Sequence, residues 1–109
     1  MKVAVAANGE QVSAHFGRCE HYVIVQVEDG RETTRETITN PGHEPGALPK
    51  LMQQHGVDVV ICGGAGPRAV GLLAQAGVEL VQGASGTVDE AIAQYLAGGL
   101  EDGPSACHH

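Results

Sequence analysis

The 109 residues carry 6 Lys and Arg against 13 Asp and Glu, a formal charge of −7, with 42% apolar and 3% aromatic residues. That length holds one domain, large enough to bury its own core without staples. The acidic balance repels phosphate backbones and anionic headgroups, aromatics are too few for base stacking, and no apolar run approaches the roughly 20 residues of a membrane span, so neither nucleic acid nor membrane is expected as a partner.

Lys2 to Asn8 is a short apolar run that fits a strand buried on both faces, and a loop from Gly9 to Arg18 follows it. Tyr22 to Val27, the Asp29-Gly30 reversal and the polar run Glu32 to Thr39 predict a hairpin. The charged and hydroxyl residues of its second arm suit an edge strand that discourages further pairing. Asn40 to Gly46 is a breaker cluster, after which Leu48, Leu51, Met52 and His55 fall at helical spacing, with Pro49 tolerable only in the first turn. Gly56 ends that helix, and Val57 to Cys62 returns as a buried strand. Pro67 then opens a helix bearing Ala69, Leu72, Leu73 and Ala76, closed by Gly77. Val78 to Val81 is the last strand, and Thr87 with Glu90 forms a capping box for a helix ended by Gly98-Gly99.

This order predicts an α/β fold with a five-stranded mixed sheet and helices on both faces. Right-handed crossovers make the first, fourth and fifth strands parallel, with one hairpin arm antiparallel. The segments Asn8 to Arg18, Gly63 to Arg68 and Gly83 to Thr87 should then converge at the carboxyl edge, where clefts of open α/β sheets form. The domain spans 1–100, and 101–109 reads as a tail.

The first of these segments contains Ser13-Ala14-His15-Phe16-Gly17-Arg18-Cys19, which sets imidazole, guanidinium and thiol close together. Phe16 either shields a cofactor or plugs the core. Cys19 reads first as a buried thiol at a strand start, with a ligand role as the lesser alternative. The second segment, Cys62-Gly63-Gly64-Ala65-Gly66-Pro67-Arg68, passes from strand to helix, so backbone N–H groups, the helix dipole and Arg68 could hold an anion; alternatively the glycines serve close packing. It matches neither a Walker A loop nor a complete dinucleotide fingerprint. The tail supplies Cys107, His108 and His109, which could close over a metal. His43, His55 and His21 read as loop, helix-end and strand-start residues. Three cysteines and no leader segment point to free thiols in a reducing cytoplasm.

Together, Ser13-x-His15-Phe16-Gly17, Cys19, Val59 to Ala69, Gly77-Val78 and Tyr95-Leu96-x-Gly98-x-Leu100 resemble the dinitrogenase iron–molybdenum cofactor biosynthesis family over nearly the whole chain. The resemblance implies a ribonuclease H-like α/β/α fold with strand order 3-2-1-4-5 and strand 2 antiparallel. It also implies a non-catalytic protein that binds, carries or helps assemble an iron–molybdenum or other metal–sulfur cluster; a related bacterial group holds a molybdenum–copper sulfide cluster. The His15-Phe16-Gly17 loop is the implied cluster site, with His15 the implied direct ligand and Cys19 the weaker candidate; independently of the resemblance, Arg18 and the turn of Gly63, Gly64, Gly66 and Arg68 offer the cations and N–H donors a polyanionic cluster needs. Apart from the resemblance, the residue types themselves add Cys107 and His108 of the tail to His15 and Cys19 as candidate metal ligands. Cluster-assembly or acceptor proteins are the implied partners.

Two other readings stand beside it: a transition-metal regulatory module using His15, Cys107, His108 and His109, and a small-anion binder at Gly63 to Arg68. A nuclease is disfavoured, since the first strand ends at Asn8 and Asp58 opens the next parallel strand at its opposite end, leaving no carboxylate pair for divalent metals.

Overall fold

Five consecutive residues, Val3 to Ala7, are buried in strand β1 (Lys2–Asn8), because both of its faces are covered. The computed structural model describes residues 1–42 and 47–98. Beyond β1 come β2 (Gln11–Val12), a 3-10 turn (Phe16–Arg18), β3 (His21–Glu28), β4 (Arg31–Thr39) and α1 (Ala47–Gln54). The chain continues through β5 (Val59–Ile61), α2 (Pro67–Gln75), β6 (Glu79–Val81) and α3 (Val88–Leu96).

The main strands lie in the order β4-β3-β1-β5-β6. This is the expected 3-2-1-4-5 arrangement, with β3 antiparallel to both its neighbours and β1, β5 and β6 mutually parallel. Among the described residues the sheet nevertheless has six strands, not five. Gly9, at φ +60°, reverses the chain so that β2 pairs Val12 with Ala7 and Gln11 with Asn8. β2 lies beyond the last β1–β5 pair, Val5 with Ile61, where β1 has no other partner on that side among the described residues. Two residues are too few to leave any periodicity in the sequence.

The local signals act as expected elsewhere. Asp29 and Gly30 both adopt positive φ in the β3–β4 reversal, Pro49 sits in the first turn of α1, and Pro67 opens α2. The Thr87 hydroxyl accepts from the Glu90 amide while the Glu90 carboxylate accepts from the Thr87 amide, both at 3.0 Å.

Two apolar layers form on the sheet. Ala4, Ala6, Tyr22, Ile24, Val60 and Cys62 pack with Leu48 and Met52 of α1 and Leu73 of α2. On the opposite face Val3, Val5, Val23, Val25 and Ile61 pack with Val88, Ala91 and Ile92 of α3. The result is an α/β/α sandwich whose parallel strands point their carboxyl ends to one edge.

Candidate functional site

At that edge the chain leaves β2 through Ser13, the buried polar side chain of the segment, 2% exposed. Its hydroxyl donates to the His15 carbonyl at 3.0 Å and accepts from the His15 amide at 3.1 Å. This local turn leaves His15 exposed while Phe16, the next residue, is buried at 1% exposure. Phe16 packs against Tyr22 with ring centroids 5.5 Å apart. The Tyr22 hydroxyl donates to the Phe16 carbonyl at 2.6 Å, and the Cys19 thiol reaches the same oxygen at 3.4 Å. From outside, the Asn40 side-chain amide donates to the carbonyls of Cys19 at 2.8 Å and Gly17 at 3.3 Å.

The glycine-rich turn after β5 is bonded directly to this loop. The Gly63 amide donates to the Ser13 carbonyl at 2.8 Å, and the Phe16 amide donates to the Gly64 carbonyl at 2.9 Å. A Cβ at Gly63 would lie 2.7 Å from the Ala14 Cα, so only glycine admits this approach. The third segment joins as well, through the Gly83 amide on the Gly63 carbonyl and the Val12 amide on the Gly86 carbonyl, both 2.9 Å. All three loops therefore meet.

Some of the glycine-rich amides are already used. Gly63 is bonded to Ser13, and the Ala65 amide donates to the Gln82 side chain at 3.1 Å. The amino end of α2 differs. Among the described residues no side chain caps it at Gly66, which leaves the positive end of the helix dipole and its first-turn N–H groups open beside exposed Arg68. Arg18, at the end of the 3-10 turn, is exposed too.

The cysteines lie beneath the loop. Cys19 and Cys62 are buried at 4% and 0% exposure, in the same core layer as Phe16 and Tyr22. Burial pushes the Cys19 thiol up and the Cys62 thiol up to about 12, with the proximity of Cys19 adding to the second and the Gly64 amide opposing it. Both are neutral thiols at physiological pH. Among the described residues no group of three or more His, Cys, Asp or Glu is placed to hold a metal ion. Cys107, His108, His109 and His43 lie outside the described residues.

The structure thus brings His15, Phe16 and Gly17 against Gly63 and Gly64, and sets Cys19 below them. Sequence reasoning missed Asn40 and Gln82, which hold the loops from neighbouring segments. Asn40 had a readable signal, since Asn-Pro-Gly forms an Asx turn, here with the Gly42 amide on the Asn40 side chain at 2.9 Å. Gln82 had none. A groove of about 290 Å³ on the α3 face, lined by residues including Glu10, His21, Arg35, Thr87 and Asp89, contains none of the expected site residues. Arg35 there is engaged at 2.7 Å by both Glu32 and Asp89, so it offers no spare charge to an anion.

Residues 1–98 match the family described as dinitrogenase iron-molybdenum cofactor. The chain belongs to that family. An uncharacterized protein of Methanocaldococcus jannaschii is 33% identical over 106 residues, covering 93% of this chain and 90% of the relative. The crystal structure of PH0822 superposes with a TM-score of 0.86 at 30% identity, covering 94% of this chain and 96% of that one. The apo form of the orange protein from Desulfovibrio gigas gives 0.82 at 26% identity, with 94% and 92% covered.

Proposed function

We propose that this family member is a non-catalytic carrier that binds an iron–molybdenum or other metal–sulfur cluster in the cytoplasm and passes it to assembly or acceptor proteins. One observation carries the reading: exposed His15 is fixed, through the Phe16 amide on the Gly64 carbonyl, beside the glycine-rich turn that leads to the uncapped amino end of α2. Metal–sulfur clusters of net negative charge are stabilised by N–H donors and cations. The first turn of α2, Arg18 and Arg68 supply these locally, against a chain whose formal charge is −7.

The donor set fits a cargo that must leave again. Cys19 and Cys62 are protonated and buried, so the sulfur belongs to the cluster and the described residues offer one exposed imidazole as direct ligand. A single side-chain ligand backed by amides releases more readily than a closed four-residue cage. Direct ligation by Cys19 would require a thiolate that burial opposes. The scaffold is read as ribonuclease H-like without nuclease chemistry: Asp58 accepts from the Lys2 amide at 2.9 Å, at the edge opposite the loops.

Metal and sulfide analysis of protein purified anaerobically from its native host tests this. Iron or molybdenum accompanied by acid-labile sulfide is expected. A divalent ion without sulfide would replace the carrier by the transition-metal module.

A further inference from the structure

Among the described residues the sheet has two unpaired edges, and they differ in kind. β6 is three residues long, whereas β4 runs for nine, and Arg31 to Thr37 are all exposed. Among the described residues β4 pairs with β3 alone, along one side. Its other side presents a row of backbone donors and acceptors, the template on which another strand is added.

The residues on that edge read Arg31-Glu32-Thr33-Thr34-Arg35-Glu36. Laid antiparallel against itself about a two-fold axis between Thr33 and Thr34, this segment sets Arg31 opposite Glu36, Glu32 opposite Arg35 and Thr33 opposite Thr34, and symmetry repeats each pair. The faces agree as well. Arg31 and Glu36 lie opposite Glu28 and Ile24 of β3, on the α1 side of the sheet, while Glu32 and Arg35 lie opposite Val27 and Val25, on the α3 side. The bulge at Thr33, where β4 has one residue more than β3, keeps both pairs on common faces. A slip of one residue in either direction is unfavourable, since it places Arg31 against Arg35 or Glu32 against Glu36. The charges that repel strands in those registers attract a second copy in this one.

We propose that β4 is the contact edge of a symmetric homodimer, in which two copies pair antiparallel through Arg31–Glu36 and extend one sheet across the two-fold. The bidentate Arg35–Glu32 pair, 2.7 Å for each bond, is then shared between the copies as a four-membered network.

Sedimentation equilibrium of the intact protein from about 10 μM to about 1 mM covers the range of a small polar interface. A dimer is expected that weakens with salt. Arg31→Glu and Glu36→Arg, each checked for native circular dichroism, should each raise the dissociation constant about tenfold by setting like charges opposite. Mixed together, the two variants should recover association near the wild-type level as a heterodimer. A wild type that stays monomeric throughout, a dimer that neither variant weakens, or a mixture that fails to recover overturns the proposal.

Discussion

Phe16 and Gly64 are joined backbone to backbone, the Phe16 amide donating to the Gly64 carbonyl at 2.9 Å. With the Gly63 amide on the Ser13 carbonyl at 2.8 Å, this makes the His15 loop and the glycine-rich turn one unit. The buried Phe16 ring anchors that unit in the core, and His15, one residue earlier, stays at the surface. Rigidity in the backbone and exposure in the side chain are thus set by adjacent residues.

Gly63→Ala should separate the two loops. Its new Cβ would meet backbone, the Ala14 Cα at 2.7 Å, which cannot swing aside as a side-chain tip can. A destabilisation of about 1–3 kcal/mol is expected, read as a lower urea midpoint at unchanged slope. Gly66→Ala, with nothing within 4 Å and no left-handed φ, should be nearly neutral in the same measurement.

Tyr22→Phe removes a buried donor from the Phe16 carbonyl, which the Cys19 thiol at 3.4 Å replaces only weakly. A loss of about 1–2 kcal/mol in denaturant unfolding is expected, with the ring packing retained.

The buried thiols make stability fall at alkaline pH. Cys62 is raised from 9.0 to about 12 by burial, so the folded state keeps a proton that the unfolded chain gives up first. Its stabilising contribution is complete below pH 9 and is lost as pH rises toward 12. Cys62→Ala should flatten this part of the stability profile relative to wild type. At pH 8 a disulfide reagent should leave Cys19 and Cys62 unreacted until the protein is unfolded.

Much of this architecture is written in local signals. Apolar runs, the Asp29-Gly30 reversal, Pro67 and the Thr87–Glu90 box place five strands and three helices, because each acts within a few residues of itself. β2 is not legible, since Gln11–Val12 is defined only by its pairing with Ala7 and Asn8. At the site, the His-Phe-Gly motif and the glycine run are visible as motifs, yet their mutual contact is tertiary. Nothing in Gly63 announces that Ala14 will lie against it, nor in Gln82 that its side chain will take the Ala65 amide. The burial of Cys19 likewise follows from Phe16 and Tyr22 closing over it.

Thr87→Ala separates stability from binding. It removes the hydroxyl that accepts the Glu90 amide at 3.0 Å and should cost about 1 kcal/mol. Val88, which opens α3, packs in the core layer opposite the one that holds Phe16 and Leu73 of α2, so cluster uptake at a temperature where the variant is folded should match wild type.

Cluster binding by His15 is tested most directly by anaerobic titration of apo-protein with preformed iron–sulfur or molybdenum-containing cluster, followed by charge-transfer absorption. Wild type should develop the band, and His15→Ala, an exposed substitution that leaves the Phe16 anchor intact, should bind at least about tenfold more weakly. Equal binding by wild type and His15→Ala would contradict the assignment of His15 as the ligand.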